Sequence, residues 1–288
     1  MSNPGASVPD RVRHRPARLA VLAVAAVLST AVVSGCSGAE AARLGFPKGI
    51  TTDSERVTRL WQGAWIAAFT VGIIVWGLII WAIVVYRRRG NEMPAQIRYN
   101  VPIEALYTLL PVVIVGVLFF YTVRDESVIL KQSPNPDVNV KVVAYRFAWT
   151  FGYTDPQNKY PPVYDTGTNS TLPELWLPQN QSVKYTLVSN DVIHAFWVPA
   201  FLFKMDVVPG RINTFEKTAD TLGTYAGRCS ELCGLYHAHM LFTVKVVTPE
   251  QYRAHMAELM RLGQTGDPSL HLTPSFDPNR NTVLGAAK

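Results

Sequence analysis

The chain has 288 residues, 48% of them hydrophobic and 17% charged, with a formal net charge of +6. Its apolar residues crowd the stretch up to Val123, and the remainder reads as an ordinary soluble domain. A uniformly soluble globule is thereby excluded, and no nucleic-acid partner is expected.

Arg11, Arg13, Arg15 and Arg18 precede an apolar run from Leu19 to Val33. The run is too short to span a bilayer, and a basic flank before a short apolar core has the layout of a secretory signal. It ends at Val33-Ser34-Gly35-Cys36, small residues before a cysteine. This resembles the bacterial lipoprotein cleavage box, which implies a signal peptide over 1–35 and a lipid-modified Cys36 that adds membrane lipid as a partner. A signal cut elsewhere, or an uncleaved first helix, is the other reading. Residues 36–60 then form an extracytoplasmic segment.

Two longer apolar runs follow, from about Trp65 to Tyr86 and from about Leu106 to Val123, neither carrying a charge. Each is close to the ~20 residues a spanning helix needs. Arg87, Arg88, Arg89 and Arg98 lie between them and, by the enrichment of cytoplasmic loops in Arg and Lys, place that connection inside. The expectation is a transmembrane helical hairpin over 61–124 with both ends outside. Everything after Arg124 then lies on the extracytoplasmic face of the plasma membrane. Trp61, Trp65, Tyr86 and Tyr121 fall near the run ends, where aromatic rings suit the interface.

From about Asn139 to Val247 the pattern is β. VNVKVVAYRFAWTFGY alternates and is rich in Val, Tyr, Phe and Trp, so Phe147 and Trp149, two apart, are expected on one face of a strand. SVKYTLVSN (182–190) alternates well, and INTFEKT and LFTVKVV are further candidates. Pro161-Pro162, Pro178, Pro199, Pro209-Gly210, Gly223 and Gly227 punctuate the region. Many short strands with frequent turns suggest a β-sandwich or Greek-key barrel. Asp155 to Ser170 reads as a long loop. Pro249 to Leu262 reads as a helix capped by Thr248, with Gln251 at N3. The outer domain thus covers 125–262, and 263–288 reads as a loose tail.

RCSELCGLYHAHM, from Arg228 to Met240, gathers two of the three cysteines with two histidines and a methionine. In an oxidising compartment a Cys229–Cys233 disulfide is one reading. Spacings of four, four and three along Cys229, Cys233, His237 and Met240 would also bring one helix face into register. Gly223, Gly227 and Gly234 favour a loop instead, where spacing is free to serve ligation. Thiolate, imidazole and thioether together select copper over hard cations, and a zinc site gains nothing from Met240. A blue-copper site needs one cysteine; two allow both thiolates to bridge two copper ions. His194, in an apolar aromatic context, is the candidate second histidine; a structural buried histidine is its other reading.

The chain resembles subunit II of haem–copper cytochrome c oxidases, with a lipobox like those of actinobacterial forms. The resemblance rests on Cys229, Glu231, Cys233, His237 and Met240 in the order C-x-E-x-C-x-x-x-H-x-x-M. An upstream block adds Asp191, Val192, His194, Pro199, Lys204, Asp206, Pro209, Gly210, Arg211 and Asn213. It implies a cupredoxin-like Greek-key barrel with a binuclear CuA centre. Cys229 and Cys233 would bridge the coppers, His194 and His237 would each terminate one, and Met240 and the Glu231 carbonyl would be weak ligands. The Glu231 carboxylate would also hold Mg²⁺ or Mn²⁺ at the boundary with subunit I, and Lys204, Asp206 and Arg211 would stand around the ligands. Glu104 matches a carboxylate near a proton pathway of subunit I, although a helix-start carboxylate favoured by the dipole is an equal reading. Phe147 stands where the family has its main electron-accepting tryptophan, and Trp149 lies nearby. The implied role is transfer of electrons from cytochrome c, free, membrane-bound or fused in a bc complex, to subunit I for oxygen reduction and proton translocation. Subunits I and III would be partners. A quinol oxidase subunit without copper, a copper-carrying or thiol-redox maturation protein, and a disulfide-bonded structural lipoprotein are the alternatives.

Overall fold

The structure is a computed structural model that describes residues 38–88, 90, 93, 96–157, 159–167 and 172–268. The signal peptide over 1–35, Cys36 and the tail beyond residue 268 lie outside the described residues. The chain divides into two units, Met1–Phe46 and Pro47–Lys288. In the first, the short helix α1 (Gly38–Ala42) ends in a turn where Leu44 and Gly45 take positive φ and Arg43 Nε donates to the Phe46 carbonyl.

The second unit opens with helices α2 (Ser54–Val85) and α3 (Val101–Ile129). Both are apolar enough to cross a membrane, and none of their most apolar stretch is buried by protein. At 1.5 Å per residue they run about 48 and 44 Å, beyond the ~30 Å hydrocarbon core. They are longer than the uncharged runs because polar turns continue past the membrane, where hydropathy no longer marks a helix. α3 starts at Asn100, whose side chain accepts from the Ile103 N–H. Glu104 accepts from the Asn100 N–H at 3.0 Å, so its carboxylate helps close the helix start. Beyond the membrane Arg56 pairs with Asp125 at 2.9 Å, and the buried Lys217 pairs with Asp53 beneath the Phe203 ring. The first contact joins the two hairpin helices to each other, and the second ties the start of α2 to the β domain.

That domain is a sandwich of two five-stranded sheets. The first has the order β3-β2-β1-β5-β8, from β1 (Val138–Tyr145), β2 (Ala148–Thr154), β3 (Val163–Thr166), β5 (Ser182–Ser189) and β8 (Asn213–Thr218). The second has the order β4-β10-β9-β6-β7, from β4 (Glu174–Pro178), β6 (His194–Val198), β7 (Phe203–Val207), β9 (Gly223–Cys229) and β10 (Leu241–Val247). β1 pairs with β5, and β10 with β4, in parallel, as crossovers between sheets require. β5 alternates strictly between half-buried and buried, turning Val183, Tyr185 and Leu187 inward. Tyr185 stacks on Phe215 within the first sheet and Phe196 on Phe242 within the second, while Trp149 meets Phe196 and Phe242 across the core that the sheets share. Helix α4 (Pro249–Arg261) starts with the expected Thr248–Gln251 capping box and buries Tyr252, Met256 and Leu259.

Three expectations change. VNVKVVAYRFAWTFGY is not one strand but the β1–β2 hairpin, turning at Arg146-Phe147, so Phe147 and Trp149 do not share a strand face. Gly223 and Gly227 belong to strand β9, not to a loop. A Cβ at Gly227 would lie 2.0 Å from the Phe242 ring, so the glycine is there to let that ring cross the strand. The segment read as a loop, 155–170, contains β3, which pairs with β2.

Where α4 meets the sandwich, Asp165 lies 4.0 Å from His255, whose ring stacks on Trp176 at 4.1 Å. Burial pushes the Asp165 carboxyl up to about 7; the Glu174 carboxylate adds to the rise, while a backbone hydrogen bond at Glu174 and the charge of Lys245 oppose it. The folded chain therefore keeps a proton that the unfolded chain releases near pH 4, so this group's contribution to stability falls as pH rises from about 4 to 7. Burial pushes His255 down, and that group acts oppositely as pH rises towards its ordinary value. Asp165→Asn removes only the first effect. The difference in unfolding free energy between variant and parent is expected to change by up to about 1.4 kcal/mol per pH unit across that window. Urea titrations at pH 5, 6 and 7 measure it, and parallel pH profiles for the two proteins would refute it.

Candidate metal centre

The ligand-rich loop connects two neighbouring strands. β9 ends at Cys229, and β10 begins directly after Met240. The Cys229 N–H donates to the Met240 carbonyl at 3.0 Å, closing the loop at its base. The Trp149 indole N–H, from the opposite sheet, donates to the same carbonyl at 3.3 Å. Within the loop the chain is irregular, with one 3-10 turn at His237–His239, so the helical-register reading fails. Gly234 has φ +138°, a conformation side-chain-bearing residues rarely take, and a Cβ there would lie 3.1 Å from the Phe147 ring. Glycine thus suits both the backbone conformation and the close approach of that ring.

Five donor side chains meet in this loop and on β6. Cys229 Sγ lies 4.0 Å from Cys233 Sγ and 3.9 Å from His194 Nδ1. Cys233 Sγ lies 3.5 Å from His237 Nδ1 and 3.8 Å from Met240 Sδ. The Glu231 carbonyl is 3.2 Å from Cys229 Sγ. His194, Cys229 and Cys233 form the one group of three or more potential His, Cys or carboxylate ligands among the described residues, with donor atoms within 4.8 Å of one another. Both cysteines are buried free thiols, and 4.0 Å is about twice a disulfide bond, which excludes the disulfide reading for this state. Two donors about 2.0–2.3 Å from a shared ion at tetrahedral angles sit about 3.3–3.8 Å apart. The observed separations, 3.5–4.0 Å, run from within that span to just above its upper end, and the soft donor set fits copper.

Electrostatics prepares the site. The Cys229 thiol is held down at about 3, chiefly by hydrogen bonding from Cys233 and then from His194, against the cost of burial. Cys233, beside that thiolate, is pushed up. Burial pushes His194 down, but the Asp191 carboxylate and the Cys229 sulfur outweigh it and leave its pKa raised.

Asp191 orients the histidine. Its Oδ1 is 2.8 Å from His194 Nε2, so Nε2 carries the donated proton and Nδ1 faces the sulfurs. The carboxylate is itself fixed by the Val192 N–H at 2.6 Å and the Arg146 N–H at 2.7 Å. The sequence placed Asp191 in a motif without a task; its D-x-x-H spacing was the available signal. Asp191→Ala is expected to weaken copper affinity about 10- to 100-fold. Competition with a copper chelator measures this, and unchanged affinity would show that β6 alone orients the ring.

The other expected site residues are less central. Lys204, Asp206 and Arg211 are exposed and make no hydrogen bond or ion pair with the five donors among the described residues. The reason is register: His194 pairs with Val207, so Lys204 and Asp206 alternate to the face away from the histidine. The Glu231 side chain is exposed, and Glu104 lies at the start of α3, in the hairpin. Trp149 is 0% exposed, packed between Phe196, Phe242 and His194, so it cannot be a surface contact. Phe147, in the hairpin turn, packs edge-to-face on Tyr236 at 5.4 Å. Tyr236 is a residue the sequence reading passed over.

Comparisons with known proteins agree with this architecture. The family profile described as cytochrome C oxidase subunit II, periplasmic domain, matches residues 138–247, and that described as cytochrome C oxidase subunit II, transmembrane domain, matches 39–124. A probable cytochrome c oxidase subunit 2 of Streptomyces avermitilis is 43% identical over 310 residues, covering 95% of this chain and 97% of its own. The cytochrome c oxidase subunit 2 of Mycobacterium tuberculosis is 35% identical over 308 residues, covering 87% and 85%. The crystal structure of the periplasmic domain of subunit II of cytochrome oxidase of Bradyrhizobium japonicum is 29% identical and covers 46% of this chain and 99% of its own, with a TM-score of 0.40. With both profiles matched in order along the chain, and relatives aligned over nearly its whole length, this chain belongs to the cytochrome c oxidase subunit II family.

Proposed function

We propose that the loop and β6 hold a binuclear copper centre that takes one electron at a time from cytochrome c and passes it to subunit I. The supporting observation is the convergence of two thiols, two imidazoles and a thioether at separations of 3.5–4.0 Å. In this reading the Cys229 and Cys233 thiolates would be shared between the metals, and His194 and His237 would each hold one. Met240 and the Glu231 carbonyl are weak ligands. Such a copper pair, sharing one unpaired electron, would supply one-electron transfer with little reorganisation. The chain's own residues hold that geometry: Asp191 orients His194, Trp149 and the Cys229 N–H fix the Met240 carbonyl, and the packed sandwich excludes water.

As the electron-transfer subunit of an oxidoreductase complex, the chain performs no bond chemistry itself. Its membrane hairpin docks with subunit I, with subunit III as a further partner, and its β domain stands on the extracytoplasmic face of the plasma membrane. The exposed Glu231 carboxylate is free to bind Mg²⁺ or Mn²⁺ where that domain meets subunit I. In this reading Glu104, whose carboxylate accepts from the Asn100 N–H at the helix start, would stand near the mouth of a proton pathway of subunit I. Cleavage before Cys36 and its lipidation complete the reading; a mature chain whose N-terminal mass begins elsewhere would remove that part. A dithiol maturation protein would use Cys229 and Cys233 but has no need of His194 or Met240. The test is copper per chain with the electron paramagnetic resonance spectrum of the copper-loaded protein. Two coppers and a seven-line pattern are expected; one copper or none would overturn the binuclear reading.

A further inference from the structure

The aromatic surface beside the ligands differs from what the sequence suggested. Trp149 is buried, and Phe147 is partly covered in the β1–β2 turn. Phe147 rests on the loop backbone at Gly234, next to Cys233. The ring that covers Phe147 from outside is Tyr236, which is 43% exposed. Tyr236 directly precedes His237, and its carbonyl accepts the His239 N–H at 2.9 Å, so its backbone belongs to the same 3-10 turn as the ligand.

Around Tyr236 the loop shows an apolar rim. Leu232 is 78% exposed and Leu235 is 73% exposed, both between ligands in the chain. A short loop that carries four of the five donors need not place two leucines in water. Bare leucines beside an exposed aromatic ring are the composition of a contact core, where a large rigid ring anchors a partner and apolar neighbours exclude water. The partner such a surface fits is a redox protein with an apolar collar around its exposed cofactor edge. Charge is sparse in the segment from Leu232 to His239, which holds no Asp, Glu, Lys or Arg, so electrostatic steering must come from elsewhere on the domain.

We infer that Tyr236, seated on Phe147 and flanked by Leu232 and Leu235, is the residue on which the electron donor docks and through which its electron reaches the centre. This rests on the proposed electron-transfer function and names its donor-facing contact. One electron leaves the donor's ferrous haem, which becomes ferric, and the copper pair is reduced by that one electron. No bond is made or broken and no proton moves. Two short routes leave the contact, one along the backbone from Tyr236 to His237 and one through the Phe147 ring to Gly234 and Cys233. Tyr236 thus supplies at the surface the ring that Trp149, being in the core, does not.

The experiment uses the full chain in detergent, with a c-type cytochrome purified from the same membranes as probe. Binding to the copper-free chain is measured by surface plasmon resonance, and reduction of the copper-loaded chain by stopped flow. Y236L is expected to weaken binding and slow second-order reduction about tenfold, as loss of an anchoring aromatic does, with two coppers retained and reduction by dithionite unchanged. Y236F should behave as the parent, because the ring and not the hydroxyl makes the contact. L235D is the second variant: its side chain is exposed, so it tests the rim even if Y236L loads copper poorly, and a similar loss of binding is expected. Parent-like binding and reduction in both Y236L and L235D would overturn the inference. A copper-loaded parent that the cytochrome binds but does not reduce would instead overturn the electron-transfer function.

Discussion

Cys229→Ser and Cys233→Ser are each expected to abolish the purple copper centre, with visible absorption and shared-electron resonance both lost. The two sulfurs lie 4.0 Å apart in the middle of the donor set, and each also touches a histidine, Cys229 at 3.9 Å from His194 and Cys233 at 3.5 Å from His237. Removing either therefore breaks the link to one imidazole as well as the bridge. Serine's harder hydroxyl is no substitute where thiolate softness selects copper. The fold should survive, because the loop is closed by the Cys229 N–H bond to Met240 and by strand pairing on either side, not by the thiols. Copper per chain, the visible spectrum and circular dichroism of each variant check this together. An unchanged spectrum in either variant would remove the bridging assignment.

Trp149→Ala should cost the domain about 3–5 kcal/mol, the range for emptying a buried indole site. Trp149 is fully buried, packs against Phe196 and Phe242 from the facing sheet, and donates to the Met240 carbonyl. The alanine variant leaves a cavity beside the loop's base and removes one of the two donors to that carbonyl. Denaturant unfolding measures the loss, and copper content should fall with it as the loop loosens. Trp149→Phe, which fills most of the space but lacks the N–H, should retain most of the stability. If Trp149→Ala unfolds like the parent, the indole is not the wedge between sheets that its packing indicates.

Much of this chain was legible without coordinates because its signals are local. Two uncharged runs of bilayer length and the arginines between them fixed the hairpin and its direction. The Thr248–Gln251 box marked the start of α4, because its hydrogen bonds join residues three apart. The copper-type donor set was readable for the same reason: four of its five side chains lie within twelve residues, Cys229 to Met240. Local spacing could not reveal which residues packing would cover. Phe147 and Trp149 alternate on paper, but the chain reverses at Arg146-Phe147, leaving one ring half-buried beneath Tyr236 and the other in the core. Gly227 reads as a loop breaker until the Phe242 ring is seen lying across it. Asp191 meets His194 within three residues, yet its anchor, the Arg146 N–H, is 45 positions away. Such partners are chosen by strand pairing and by the packing of one sheet on the other, which bring together groups the chain itself keeps far apart.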